Sequence, residues 1–325
     1  MKTPKFWYSQ KSIISLLLKP FTYIWILGNK LRCKKPYIFK GIKIIKVGNV
    51  VIGGSGKTPT VIALINKLSN SNMIVHIISK GYKGSIKEST QVNTNIHSYK
   101  EVGDEAIILS KIAPTWIGKN RVESIKNAQM KGANIVILDD GIQDSSIKGD
   151  LNILVFNGSQ GIGNGKIIPA GPLREKLSEI IKKCNFSIII DEDKNNLTSI
   201  LNKYIPLVKA EIKIESEYLN NFKNKDVVAF CGIGYPNKFF ETLEKIGCNI
   251  KYRKVFPDHH QYKNKEIIQL LNDSIKYNSL LITTEKDHIK IPNKYKGRIF
   301  YFPIKIIFNN DKIINDKLYS LTTDK

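Results

Sequence analysis

An α/β fold built on a mostly parallel sheet is the class this sequence predicts, and three observations carry the expectation. From residue 42 onward, short apolar runs of strand length alternate with segments of helical period, the pattern of parallel strands joined by crossover helices. A glycine-rich turn ending in Lys-Thr stands between the first strand and the first helix of that series. The alternation then pauses over the polar residues 191–224 and resumes, which predicts a second, smaller α/β domain. The expected organisation is an N-terminal interfacial segment over 1–40, a phosphate-loop domain over 41–205 and a second α/β domain over 206–325.

The N-terminal segment comes first in the chain. Residues 1–46 hold 11 Lys or Arg and no Asp or Glu, interleaved with Phe6, Trp7, Tyr8, the run from Ile13 to Leu18, and Phe21 to Leu27. No uncharged run reaches the ~20 residues that cross a bilayer, and Lys19-Pro20 interrupts the apolar stretch. No small-residue cleavage site follows, so a secretory signal is not indicated. A basic, aromatic-rich, helix-competent segment suits the plane of an anionic membrane interface, and packing on the protein's own core is the alternative.

The formal net charge of +23 points the same way, toward anionic lipid, nucleic acid or phosphorylated substrates. No nucleic-acid fold motif is present, and no protein partner is implied. Cys33, Cys184, Cys231 and Cys248 lack CxxC spacing, which indicates neither a zinc site nor a disulfide framework and fits reduced thiols in the cytoplasm.

The predicted strands of the first domain are 42–47, 73–78, 134–138, 151–156 and 186–190, with helices over 57–68, 104–112 and 120–131. A connecting strand over 208–214 leads to the second domain. There, strands over 227–231, 250–255 and 280–283 alternate with helices over 237–246 and 263–271. The last 20 residues read as a strand and a frayed tail.

Gly53-Gly54-Ser55-Gly56-Lys57-Thr58 follows a strand and opens a helix, the setting a phosphate loop requires. Its glycines let backbone N–H groups turn toward phosphate oxygens, and the helix N-terminus adds its positive end. Lys57 is expected on the β- and γ-phosphates and Thr58 on Mg²⁺, which makes ATP and Mg²⁺ the expected cofactors and the first domain P-loop NTPase-like. Val51 occupies the position where the usual motif begins with Gly, so Val51 and Ile52 enter the loop in its place. The apolar strand 134–138 runs into Asp139-Asp140. An acidic pair after a strand is ordinarily a solvated turn, but beside a phosphate loop Asp139 is expected to position the metal.

Four further segments fall where ligands bind α/β sheets. Lys80-Gly81-Tyr82 follows the second strand. Asp104-Glu105 opens a helix, either as simple dipole partners or, for Asp104, as a general base. The long Gly/Pro loop ends in Arg174-Glu175, suited to charge stabilisation and to contact with metal or nucleotide. Phe256-Pro257-Asp258-His259-His260 lacks a third metal ligand, and a His oriented by a carboxylate is the commoner catalytic device.

As an ordered set, Val47-Gly48-Asn49, the 53–59 loop, 80–82, 102–105, 139–143, 163–165, 169–175, 256–259 and 283–287 resemble the tetraacyldisaccharide 4'-kinase family of lipid A biosynthesis. The resemblance runs from Trp7-Tyr8 to Asp287. It implies two α/β/α domains at the cytoplasmic face of the bacterial inner membrane, peripheral or monotopic. The implied reaction moves the ATP γ-phosphate to the 4'-hydroxyl of an acylated glucosamine disaccharide 1-phosphate. It assigns Asp104 as base and His259 as its helper, and places Thr58, Asp139 and Glu175 near Mg²⁺ and nucleotide. Lys80, Gln143, Asp144 and Arg174 become substrate contacts. Lys80 stands where the family usually has Arg, Asp144 where it has His, and Gly149 where it has Arg; these positions would face the lipid head group. The competing readings are a P-loop kinase of another small molecule and a membrane-associated ATPase switch. The switch ATPases carry a Lys just before Gly-Gly, where this chain has Ile52.

Overall fold

The computed structural model describes residues 4–31, 35–69 and 73–323; Lys2, Arg32, Cys33 and Lys34 of the N-terminal segment lie outside them. The chain forms two compact units, one built from the chain up to Ile212 together with the segment from Ile306, the other from Lys213–Lys305.

The larger unit carries β1 (Lys43–Gly48), β2 (Val75–Ser79), β3 (Thr90–Gln91), β4 (Thr115–Ile117), β5 (Ile135–Asp139), β6 (Leu151–Asn157), β7 (Phe186–Ile190) and β8 (Leu207–Lys213). The smaller unit carries β9 (Asp226–Cys231), β10 (Asn249–Val255), β11 (Leu280–Thr284) and β12 (Phe300–Phe302), and β13 (Lys305–Phe308) returns to the larger sheet. The nine strands run in the order β13-β8-β7-β6-β1-β5-β2-β4-β3, and the four strands in the order β10-β9-β11-β12. Every pairing from β8 to β4 is parallel, and the short β3 runs antiparallel to its neighbour β4. The smaller sheet is parallel throughout.

The reason is visible in the residues. Ile135, Val136, Ile137 and Leu138 of β5 are all fully buried, the near-continuous apolar run of a strand covered on both faces. One face packs on the Lys57–Leu68 helix through Val61, Leu64 and Leu68, and the other on the Arg121–Met130 helix through Ile125 and Ala128. β1 lies between β5 and β6, with Val47 opposite Asp139 and Ile153. Chain connections leave β1 in two directions there, so its carboxyl end is the crevice where open parallel sheets take their ligands.

The C-terminal tail differs from expectation. After β13, residues Lys312–Thr323 form a helix that buries Ile314, Leu318 and Leu321 in the larger core. That spacing is one helical face, and the surrounding Asn, Asp, Lys and Thr obscured it. β3, β4 and β12, at two or three residues each, are too short to show a period.

Lys46 is a buried cation in the middle of β1. Its Nζ donates to the backbone carbonyls of Asp144 (2.8 Å) and Ile147 (2.5 Å). Gly149 leaves room for its stem, since a Cβ there would lie 3.1 Å from Lys46 Cγ. Burial lowers the Lys46 pKa to about 8, with the Asp144 charge working against the shift. The unfolded chain then binds more protons than the native one between about pH 8 and the ordinary Lys value of ~10.4. Stability therefore rises with pH across that window. Denaturant unfolding at pH 7.5, 9 and 10 is expected to show this rise. Lys46→Met is expected to flatten it; an unchanged slope would mean that Lys46 is not the titrating group.

Candidate active site

The phosphate loop leaves β1 and enters the Lys57–Leu68 helix with Gly53 at φ 122° and Gly56 at φ 88°, a conformation that favours glycine. At Gly56 there is no space either, because a Cβ would sit 2.5 Å from Ile190 Cδ1. The absent first glycine is compensated by a clamp from the long 160–174 loop. Val51 bridges Leu173, the Ile52 N–H donates to the Pro172 carbonyl at 2.9 Å, and the Ile52 carbonyl accepts Gln160 Nε2 at 3.1 Å. Ser55 is buried with no hydrogen-bond partner for its Oγ.

Cations converge on Asp140 at the carboxyl edge of β5. Arg174 Nη1 donates to both its carboxylate oxygens, at 3.1 and 3.0 Å, and Lys57 Nζ lies 3.6 Å from Oδ1. Burial alone would raise the Asp140 carboxyl, but Lys57, Arg174 and Lys80 hold it well below the usual carboxylate range. Lys57 is steadied further by Asn49 Oδ1 at 3.3 Å. Gln143 links the two arms, donating to the Asn49 carbonyl at 2.6 Å and accepting from Arg174 at 3.4 Å. Partial burial and the neighbouring Arg121 and Arg174 lower the Lys80 pKa, although its side chain reaches solvent and Asp140 opposes them.

Asp139 ends β5, 3% exposed. Its Oδ2 accepts the Thr58 hydroxyl at 3.1 Å, while the buried Oδ1 accepts nothing. Burial raises its pKa to about 7, with Glu105 adding to the shift and Lys57 opposing it. A buried carboxylate oxygen without a partner, beside a hydroxyl at the mouth of a phosphate loop, fits a divalent cation held by Asp139 and Thr58.

Asp104 is buried at the head of the Asp104–Ser110 helix, where its Oδ1 accepts the Glu105 N–H at 2.9 Å. The Glu105 charge adds to the upward shift of Asp139. Glu175 accepts Lys183 Nζ at 2.8 Å. Asp144 accepts from Ser146 and lies 3.4 Å from the buried Arg121, whose other nitrogen donates to the Asp139 carbonyl at 2.6 Å. Within the smaller unit, His259 has φ 56°, donates its N–H to the Gly232 carbonyl at 3.1 Å, and places Nε2 3.2 Å from Lys286 Nζ. The fully buried Asp287 ties that region together by accepting from Gly232 N, Tyr262 OH and Thr284 Oγ1.

The residues beyond those expected are Asn49, Glu105, Arg121, Asp140 and Gln160. Asn49 and Asp140 lay inside recognisable segments. Arg121 and Gln160 had no local signal, because only the tertiary fold brings them to the loop.

The comparisons with known proteins agree along the whole chain. Residues 14–322 match the family model for tetraacyldisaccharide-1-P 4'-kinase. The tetraacyldisaccharide 4'-kinase of Rhodospirillum centenum is 32% identical, covering 100% of this chain and 98% of the relative. That of Paramagnetospirillum magneticum is 35% identical over 94% of each chain. The crystal structure of LpxK from Aquifex aeolicus in complex with ATP superposes with a TM-score of 0.73 at 23% identity, covering 95% of this chain and 100% of that one, and shares the fold. The length and continuity of these matches, over a chain whose phosphate loop and buried carboxylate meet at one sheet edge, show that it belongs to the tetraacyldisaccharide 4'-kinase family.

Proposed function

We propose that the protein transfers the γ-phosphate of ATP to the 4'-hydroxyl of a tetraacyldisaccharide 1-phosphate in lipid A biosynthesis, working at the surface of an anionic membrane. The observation that carries this reading is the convergence of Lys57 and Arg174 on Asp140, beside the Asp139–Thr58 pair at the phosphate loop, in a chain of this family.

Val51 to Thr58 cradle the polyphosphate with backbone N–H groups and the helix N-terminus. Lys57 follows the transferring group as charge builds on its oxygens. Arg174, freed from Asp140, pairs with phosphate, and Lys80 adds a further positive charge. Magnesium held by Thr58 and Asp139 would neutralise charge between the β- and γ-phosphates. Asp104, buried at the head of its helix, accepts the proton of the attacking hydroxyl. Gln143 and Asp144, steadied by their contacts with Asn49 and Arg121, are proposed as substrate contacts, and Glu175 as a nucleotide contact. His259 is proposed as the helper of Asp104, on the strength of the family pattern.

The membrane part of the proposal rests on the N-terminal segment. Among the described residues no helix is long and apolar enough to cross a membrane. The segment instead packs inward through Trp7 Nε1 on the Pro169 carbonyl (2.9 Å) and Ser15 Oγ on the Ala170 carbonyl (2.6 Å). It leaves Ile13, Leu17, Ile24 and Leu31 more than half exposed. An apolar outer face among lysines suits adsorption to an anionic bilayer.

Incubation of the protein with ATP, Mg²⁺ and the disaccharide lipid is expected to add one phosphate to the lipid by mass spectrometry; no added mass would defeat the proposal. Lys57→Ala is expected to lower turnover by well over tenfold, where ~1.4 kcal/mol is tenfold. Retention of near wild-type turnover would remove Lys57 from the phosphate site.

Asp104→Ala is expected to lower turnover by ~10²–10⁴-fold with little change in ATP affinity. Residues acting as one unit are non-additive. The Asp104→Ala, His259→Ala double variant should therefore be scarcely slower than Asp104→Ala alone. Fully multiplicative losses would show that the two act independently.

A further inference from the structure

Within the smaller unit, β9 ends at Cys231 and β11 at Thr284, and the two strands pair side by side in parallel. After β11, the Thr284 hydroxyl caps the short helix Glu285–His288 by accepting the Asp287 N–H at 3.1 Å. Asp287, fully buried, accepts the Gly232 N–H and the Tyr262 hydroxyl, each at 2.9 Å. Lys290 Nζ lies 2.8 Å from the same carboxylate. The helix is thereby locked to the residue that follows β9. A Cβ on that residue, Gly232, would crowd the Pro257 carbonyl at 3.0 Å and Asp287 Oδ1 at 3.1 Å.

His259 is held from the same point. Its backbone sits in the left-handed region, which a residue other than glycine keeps only where its surroundings fix it, and its N–H donates to the Gly232 carbonyl at 3.1 Å. Gly232 thus holds the helix of Lys286 by its N–H and His259 by its carbonyl, and Lys286 Nζ stands 3.2 Å from His259 Nε2. Asp258 is the nearest carboxylate in the chain, yet its Oδ1 lies 3.8 Å from Nε2 and 3.9 Å from Lys286 Nζ, outside hydrogen-bond length. His260 is engaged elsewhere: its ring stacks on Phe256 and its Nε2 lies 3.0 Å from Glu266 Oε2. The lysine therefore takes the hydrogen-bonding position on Nε2 that a carboxylate would ordinarily hold. An ammonium only donates, and a neutral imidazole carries its N–H on one ring nitrogen. A lysine on Nε2 meets a lone pair there, which leaves the ring proton on Nδ1.

We propose that Lys286 is the positioning residue of His259: by donating to Nε2 it fixes the ring and its tautomer, so that His259 serves the phosphoryl transfer as a hydrogen-bond donor through Nδ1–H. His259 then does not receive the proton of the attacking hydroxyl, which goes to Asp104. The inference rests on the kinase function proposed above. It adds the atom through which His259 acts and the residue that fixes it.

The test uses the full-length protein with 15N-labelled histidine at a pH of about 8, above the ordinary histidine value of ~6.5. Long-range proton–nitrogen spectra separate a protonated ring nitrogen from an unprotonated one, and His259→Ala identifies the His259 signals among the 5 histidines. The wild type is expected to show Nδ1 protonated and Nε2 unprotonated. Lys286→Glu sets an acceptor against Nε2 and should reverse the two, whereas Lys286→Arg, which also only donates, should keep the wild-type pattern. A wild-type ring protonated on Nε2, or a folded Lys286→Glu variant with the wild-type pattern, would overturn the proposal. In kinetics, Lys286→Met should lower kcat by about tenfold, the size of one hydrogen bond from a charged group, with KM for ATP unchanged. Lys286→Arg should restore most of that loss. In a His259→Ala background Lys286→Met should have little further effect, since residues acting as one unit are non-additive. An equal loss with and without the His259 ring would show that Lys286 does not act through it. Wild-type protein that phosphorylates the lipid but carries the other tautomer defeats this inference alone. Protein with the expected tautomer that transfers no phosphate defeats the kinase reading, and with it the reaction for which His259 is positioned.

Discussion

The pairing of Asp140 with Arg174 and Lys57 is the interaction on which the rest of the site depends. Without it, two cations would crowd the end of β1 with little to balance them, in surroundings where charges are poorly screened. With it, the phosphate loop, the carboxyl edge of β5 and the far end of the 160–174 loop are drawn to one point. The carboxylate supplies negative charge to both cations within the chain itself. That arrangement also explains why neighbouring carboxyls behave oppositely. Asp140 is held ionised by cations, whereas Asp139 is pushed toward protonation by burial, with the Glu105 charge adding to the shift.

Contacts radiate from that point. Arg174 is held by its backbone to Val50 on one side and to Trp25 on the other, so the phosphate loop and the N-terminal helix share one residue. Gln160 joins the Ile52 carbonyl to the Tyr8 hydroxyl, a second link between the same two parts. The N-terminal segment is thus stapled inward by polar contacts while its apolar outer face stays in solvent. The inward packing belongs to one face of those helices, and the interfacial binding proposed above would use the other.

Much of this was legible in the chain because the informative signals are local. A strand, a glycine turn, Lys57-Thr58 and a helix follow one another without interruption, and β5 is an apolar run ending in Asp139. β1, β2, β6, β7, β9 and β11 were legible for the same reason, being largely buried and flanked by polar turns. The partners of Asp140 were not, since Arg174 lies 34 positions away and meets it only through the fold. Lys46 was read as one charge of a basic segment, yet it is buried in β1, its amine satisfied by two carbonyls that a loop 98 and 101 positions later supplies. The C-terminal helix was hidden for another reason: its apolar face is narrow and its remaining residues favour turns as readily as helix.

Thermal unfolding of the wild type and of Asp140→Asn, each with and without ATP and without added metal, tests the central claim most directly. If Asp140 balances Lys57 and Arg174 in place of phosphate, the variant melts lower than wild type when nucleotide is absent. Saturating ATP then raises its melting temperature more than it raises that of the wild type, because bound phosphate restores the missing negative charge. Equal melting temperatures without ATP, together with equal shifts on adding it, would contradict the account.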